Sequence, residues 1–99
     1  KPIDGKFKNI YWVIGVLILK NKILAKKLAK KLEKVGIQTR PFFFPMNKQK
    51  ILKKYLKKRK EKFKNSEYLS KYGLYLPSYY DLKKKDIYFI CNQVNKFTK

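Results

Sequence analysis

The segment RPFFFP, residues 40–45, carries the side chains best suited to holding a ligand. Arg40 offers a permanent cation and a planar fork of N–H donors, which suits a diphosphate or a carboxylate. Phe42, Phe43 and Phe44 provide apolar walls beside it, and the flanking prolines stiffen the backbone. The structural alternative is that Arg40 pairs with a surface carboxylate and that alternation sends some phenylalanines into the core.

Several other chemistries are excluded by composition. The 99 residues include no His and one Cys, Cys91. Ser-His-Asp and Cys-His catalysis, His-ligated zinc, an internal disulfide and a cysteine metal cluster are therefore not available within them. We predict that Cys91 is a core residue and not a nucleophile, and that no metal is bound.

The charge is strongly basic. Lys and Arg number 27 against 6 Asp and Glu, for a formal net charge of +21. Only Arg40 and Arg59 are arginine, whereas sequence-reading nucleic-acid proteins rely on arginine forks. Lys, Ile, Asn, Tyr and Phe, which have AT-rich codons, supply 55 of the 99 residues. We interpret the lysine excess mainly as nucleotide bias on a solvated surface, although such a chain attracts polyanions nonspecifically.

The first half of the chain reads as strand, helix and strand. Residues 10–19 (IYWVIGVLIL) are too few for a membrane-spanning helix, and their composition predicts a strand buried on both faces. A helix follows, with Asn21 as its N-cap and Gly36 as its C′ residue. Residues 37–40 are predicted to form a short strand that leads into the extended segment 41–45. The helix has one apolar face, made of Leu24, Leu28, Leu32 and Val35.

The middle of the chain is the most polar part. Residues 47–64 are predicted to form an excursion with one short helical stretch. A second helix is predicted to begin at Ser66 and to stop at Gly73. The apolar residues of the excursion's helical stretch are Ile51, Leu52, Tyr55 and Leu56.

The end of the chain reads as a strand, a turn and a long helix. We predict the strand at residues 74–76, the turn at 77–78 and the helix at 84–97, with Asp81 as a candidate cap. The order of elements indicates an α/β or α+β domain in which helices cover a short sheet. The predicted core face of the last helix comprises Ile87, Ile90, Cys91, Val94 and Phe97.

Four strings, taken in order, resemble one family. They are YWVIGVLI (11–18), KVGIQTRPFFFP (34–45), SEYLSKYGLYLPS (66–78) and the DIYFI (86–90) of the last helix. Together they resemble the DegT/StrS-type sugar aminotransferases, which are fold-type I pyridoxal-phosphate enzymes. The RPFFxP form is most similar to the branch of the perosamine synthases, which aminate the C4 keto group of a nucleotide-linked 4-keto-6-deoxy sugar.

The resemblance implies that residues 1–99 are the C-terminal small domain of a longer enzyme. In that family a large N-terminal domain holds pyridoxal 5′-phosphate through a Schiff-base lysine. Nothing here matches the motifs of that domain, so none of the 25 lysines is assigned the role, and we expect the chain alone to be inactive. The resemblance further implies an amino donor such as glutamate, a homodimer and a cytoplasmic location.

The resemblance also places the segment around residue 40 at the active-site edge, where the small and large domains meet. We therefore assign Arg40 and Asn47 to polar contacts with the substrate. Phe42 and Phe43 are assigned to shaping the pocket, as walls for a deoxysugar methyl group or a cofactor ring. Asn47 stands where family members commonly carry His, and its amide can donate and accept hydrogen bonds but cannot become a cation.

Two other functions follow from the basic composition. A nonspecific nucleic-acid binding module would use the lysines of residues 22–34 and 48–64 for phosphates and aromatic rings for stacking. A basic membrane-surface protein would use the helix that carries Leu28 and Leu32. We favour the aminotransferase, with a nucleotide sugar as substrate and neither a specific nucleic acid nor a membrane as partner.

Overall fold

A short antiparallel sheet and a set of helices make up the structure, a computed structural model that describes residues 9–19, 23–56 and 62–99. Two 3₁₀ turns, Met46–Lys48 and Lys50–Leu52, connect the second strand to the second helix. The predicted fold class, a small α/β or α+β domain with helices over a short sheet, is confirmed. In chain order the elements are β1 (Ile14–Leu17), α1 (Ala25–Glu33), β2 (Arg40–Pro41), α2 (Lys53–Leu56), α3 (Lys64–Tyr72), β3 (Gly73–Leu76) and α4 (Lys84–Thr98).

The sheet has the order β1-β3-β2, with β3 paired antiparallel to both neighbours. Tyr75 on β3 lies opposite Gly15 on one side and opposite Arg40 on the other. Residues directly opposite each other point to the same face of a sheet, so these three share one face. Leu74 points to the other face, and the register thus separates an arginine–tyrosine face from a leucine face.

The hydrophobic core lies on the leucine face. Leu74, Leu28 and Leu32 have at most 1% of their surface exposed, and each contributes roughly 1.5–3 kcal/mol by burial. Helices α1 and α4 cover this face, because both present apolar side chains at helical spacing toward it. The remaining buried core residues are Ile18, Ala25, Ile37 and Ile90.

Helix α1 ends at Glu33, and Gly36 is its C′ residue, as predicted. The N–H of Ile37 donates to the carbonyl oxygen of Leu32 at 3.0 Å, and the N–H of Gly36 donates to the carbonyl oxygen of Glu33 at 3.0 Å. These two bonds form a Schellman motif, which requires a positive φ at its C′ residue, and Gly36 has a φ of 80°. The motif returns Ile37 to the core and directs the chain toward β2.

The start and the apolar face of α1 differ in part from the prediction. The helix begins at Ala25 after Leu24, which makes no side-chain cap hydrogen bond, and the predicted N-cap Asn21 lies outside the described residues. Leu28 and Leu32 are buried as predicted, whereas Val35 is exposed. Val35 lies beyond the last helical turn, so the helical spacing no longer governs its direction.

The first strand was predicted wrongly in extent and burial. Instead of residues 10–19, it covers Ile14–Leu17, at the edge of the sheet. Ile10 and Trp12 are 83% and 71% exposed. Val16 packs against the core, whereas Ile14 and Leu17 are exposed, so the prediction of burial on both faces does not hold within the described part of the chain. The predicted strand at residues 37–40 is likewise reduced to β2, Arg40–Pro41.

Helix α3 continues into β3 without a connecting loop. It begins at Lys64, two residues before the predicted Ser66, and Gly73 is both its C-cap and the first residue of the strand. The backbone of Gly73 is extended, with φ −95° and ψ 144°. In the excursion, the predicted helical stretch becomes a 3₁₀ turn followed by α2, and residues 57–61 lie outside the described part.

Helix α4 is confirmed in position but differs in its buried face. Ile90 is buried, whereas Cys91 is exposed, so the prediction of a core cysteine is wrong. Ile87 is also exposed. The N-cap residue is Lys83, with no side-chain cap hydrogen bond, so Asp81 is not the cap. Within the described ranges, no helix is long and apolar enough to cross a membrane.

Candidate functional site

Arg40 opens onto a broad cleft at one end of the sheet. Its side chain is exposed and makes no ion pair with any described residue. The surface ion pair considered from the sequence is therefore not formed within the described part. The cleft has a volume of about 1150 Å³, and its polar lining includes Glu33, Arg40, Ser78 and Asp86. An unpaired guanidinium at the edge of such a cleft can grip an anionic group with two parallel hydrogen bonds.

Tyr75 is the central aromatic residue beside Arg40, and the sequence analysis did not select it. Its ring also lines the cleft, and it lies opposite Arg40 across the β2–β3 pair. Phe42 stacks on it with ring centroids 4.5 Å apart and planes 25° apart. Phe43 meets it edge-on at 6.0 Å and 65°. The sequence signal that could have identified Tyr75 is the alternation Leu74-Tyr75-Leu76. In a strand it directs the tyrosine to the face opposite its two leucine neighbours.

Phe42 packs against the sheet. A Cβ built on Gly73 would lie 2.6 Å from its Cε2, and one built on Gly15 would lie 3.0 Å from its Cζ. The two glycines thus leave a recess on the arginine–tyrosine face, and the half-buried Phe42 ring occupies it. Phe42 thus packs on the Tyr75 side of the sheet and is not part of the hydrophobic core on the leucine face.

Phe43 and its neighbour point away from the core. Phe43 is 75% exposed, and Phe44 is exposed as well, whereas Pro45 is buried and anchors the segment. Phe43 therefore presents an apolar surface next to Tyr75, but neither Phe42 nor Phe43 lines the cleft. The structure brings Arg40, Phe42 and Phe43 together around the Tyr75 ring.

Asn47 belongs to a different cluster. Its Nδ2 donates to Oε1 of Glu67 at 2.9 Å, and Nζ of Lys48 lies 3.2 Å from the same oxygen. The hydrogen bond from Asn47, followed by that from Lys48, lowers the pKa of Glu67 below its ordinary value. Asn47 does not line the cleft but a smaller hollow of about 280 Å³, whose apolar walls include Leu52, Tyr55 and Phe63.

The described residues do not form a pyridoxal-phosphate site. A Schiff-base lysine works from a desolvated position close to the substrate. No lysine lines the cleft, and no charged side chain among the described residues is buried. The same part of the chain also contains no group of three His, Cys, Asp or Glu side chains placed to hold a metal ion.

The comparison with protein families assigns the chain to a class of transferases that move amino groups. The family model of the DegT/DnrJ/EryC1/StrS aminotransferases matches residues 2–95 of the 99. The chain therefore belongs to the DegT/DnrJ/EryC1/StrS aminotransferase family, which confirms the resemblance found in the sequence. Membership supports a pyridoxal-phosphate-dependent aminotransferase as the class of enzyme. A comparison with curated proteins gives no match.

Proposed function

We propose that residues 1–99 are the C-terminal small domain of a pyridoxal-phosphate-dependent aminotransferase that acts on a nucleotide-linked keto-deoxysugar. The proposed role is the biosynthesis of a 4-amino sugar for a surface polysaccharide, with glutamate or a similar amino donor. Membership of the aminotransferase family supports the reaction class. The observation that carries the substrate class is Arg40, exposed at the cleft edge without an ionic partner among the described residues.

Arg40 binds the diphosphate of the substrate in this proposal. A guanidinium can make two parallel charge-assisted hydrogen bonds to phosphate oxygens, each stronger than a neutral hydrogen bond. Tyr75 and Phe43 provide the apolar and aromatic surface beside it, which suits the ring and the methyl group of a 6-deoxy sugar. Among the described residues that line the cleft, Arg40 is the cation and Glu33 and Asp86 are carboxylates.

The cofactor and the Schiff-base lysine belong, in this proposal, to a large domain outside these residues. The full-length enzyme is a cytoplasmic homodimer, and the chain alone is inactive. The test is to express the 99 residues alone, add pyridoxal 5′-phosphate and dialyse. We expect no cofactor absorbance to remain, because the described residues contain no buried lysine. Absorbance that persists through dialysis would place a cofactor site within this chain.

The substrate class is tested in the full-length enzyme with Arg40→Ala. Loss of charge-assisted hydrogen bonds should raise the KM for the nucleotide sugar about 10- to 100-fold, and Arg40→Lys should recover part of the loss. The KM for glutamate should not change. Lys26→Ala, which removes an exposed cation from α1, is the matched control. An unchanged KM for the nucleotide sugar would remove Arg40 from the site and with it the basis for the substrate class.

A further inference from the structure

The cluster of Asn47, Lys48 and Glu67 determines which end of the Asn47 amide is available to a ligand. The Nδ2 group of Asn47 faces Oε1 of Glu67 at 2.9 Å. An ionised carboxylate is an acceptor only, so the reverse orientation would set the amide oxygen against another acceptor. The amide is therefore held with its donor end toward Glu67 and its Oδ1 turned away.

The Oδ1 atom of Asn47 is the unused group. No described residue donates a hydrogen bond to it, and the side chain is half-buried beside the hollow formed by Met46 and its neighbours. A carbonyl oxygen accepts hydrogen bonds from hydroxyl or amino groups and cannot donate one to a phosphate oxygen.

Glu67 remains ionised over the working pH range of most enzymes. The hydrogen bonds from Asn47 and Lys48 lower its pKa, so it does not become a donor that would turn the amide around. Lys48 shares the same oxygen at 3.2 Å, which links the 3₁₀ turn that carries Asn47 to helix α3 at two adjacent positions. The orientation of Asn47 is thus determined by a residue 20 positions away in the chain.

We propose that Glu67 is a positioning residue that holds Asn47 as a hydrogen-bond acceptor for a hydroxyl or amino hydrogen on the sugar part of the substrate. Recognition of the diphosphate is left to Arg40. This inference rests on the proposed function, and it divides the predicted polar contacts between two parts of one long ligand. In the structure Arg40 lines the cleft and Asn47 lines the separate hollow.

The experiment measures binding to the full-length enzyme by calorimetry, with two kinds of probe. The probes are GDP, UDP and dTDP alone, and the same nucleotides linked to a 6-deoxyhexose. The nucleotide whose sugar derivative binds best to the wild type is carried forward. The variants are Asn47→Ala, Glu67→Ala and Glu67→Gln, with Lys48→Ala and Lys50→Ala as cation-removal comparisons at neighbouring positions.

We expect Asn47→Ala and Glu67→Ala to weaken the nucleotide sugar about 5- to 10-fold and to leave the Kd of the free nucleotide unchanged. Retained nucleotide binding also reports that the variants are folded. Glu67→Gln should restore most of the affinity, because its amide oxygen still accepts from Asn47. Lys48→Ala and Lys50→Ala should behave as wild type toward the sugar.

Three results would overturn the inference. Equal weakening of nucleotide and nucleotide sugar by Asn47→Ala would place Asn47 on the phosphate. A Lys48→Ala variant that reproduces Glu67→Ala would show that the glutamate acts through the lysine. Glu67→Gln as weak as Glu67→Ala would show that the charge matters and not the acceptor. Failure of the proposed function looks different, since then the wild type would prefer no nucleotide sugar and Arg40→Ala would alter neither probe.

Discussion

The ring of Phe42 lies over Gly73, so close that a Cβ at this glycine would come within 2.6 Å of the ring atom Cε2. The same Cβ would also lie 2.5 Å from the backbone oxygen of Leu69, which cannot rotate away. Gly73 has an ordinary extended backbone, so its importance is the close approach and not its φ angle. The aromatic group around Tyr75 therefore depends on the absence of one methyl group.

Gly73→Ala should destabilise the protein by about 1–3 kcal/mol through overpacking. Gly15→Ala is the matched control, because its Cβ would meet only side-chain atoms, the nearest being Phe42 Cζ at 3.0 Å. We expect its effect to stay below about 1 kcal/mol. Chemical unfolding of both variants measures the difference. Equal effects of the two substitutions would contradict the close approach at Gly73.

Tyr75→Ala should lower stability and weaken the nucleotide sugar together. The ring stacks on Phe42 at 4.5 Å, and an aromatic pair contributes about 0.5–1.5 kcal/mol beyond its buried area. Tyr75→Phe retains both ring contacts and should keep stability within about 0.5 kcal/mol of wild type. Thermal unfolding and KM measurements test this, with the fully exposed Tyr80→Ala as control. If Tyr80→Ala and Tyr75→Ala behave alike, Tyr75 has no special place in the site.

The contribution of Glu67 to stability should depend on pH. Its pKa in the folded protein is lowered from the ordinary 4.5 by Asn47 and Lys48. A group with a lowered folded pKa stabilises the fold above its unfolded pKa, and the contribution is lost as pH falls through the folded value. The difference in unfolding midpoint between wild type and Glu67→Gln should thus be constant near neutrality and shrink below pH 4.5.

Cys91 should react with a thiol reagent in the native protein. Its side chain is exposed on α4, so labelling needs no unfolding and should proceed within about tenfold of the rate in denaturant. Cys91→Ala should change stability by less than about 0.5 kcal/mol, whereas Ile90→Ala should cost about 2–5 kcal/mol because Ile90 is buried. A cysteine protected until global unfolding would support the original core prediction instead.

The helices were the most predictable part of the fold. Periodic leucines identified α1, and Gly36 marked its end, because a positive φ after a helix is a strictly local requirement. Cys91 was misplaced for a geometric reason. Cys91 lies about 100° around the helix from Ile90, at the margin of the apolar face of α4. The buried part of that face is narrow, so Cys91 is exposed.

The strands were less predictable, because burial depends on what covers them. Residues 10–19 have the composition of a buried strand, yet β1 is an edge strand that is mostly exposed, with the Phe42 ring packed at Gly15 on its outer face. Hydrophobicity alone does not distinguish one covered face from two. The length of β2, Arg40–Pro41, also depends on pairing with β3 and not on its own residues.

Part of the candidate site could be predicted from chemistry. Arg40 is identifiable from the sequence because a guanidinium can bind a phosphate or carboxylate with two parallel hydrogen bonds, which a lysine ammonium cannot do as well. Tyr75 became significant only when the register placed it opposite Arg40. The contact between Asn47 and Glu67 joins residues 20 positions apart, and no local pattern indicates such a pair.

Helix α3 passes directly into strand β3, so the side-chain period changes from 3.6 residues to 2 residues within one uninterrupted segment. Glu67, which holds Asn47, and Tyr75, which faces Arg40, are fixed at a constant spacing along it. A single inserted or deleted residue between them would exchange the two faces of β3, turning Tyr75 toward the helices and Leu74 toward the open side. A change in the number of residues between Glu67 and Tyr75 therefore cannot preserve both the Asn47 contact and the Arg40 pairing.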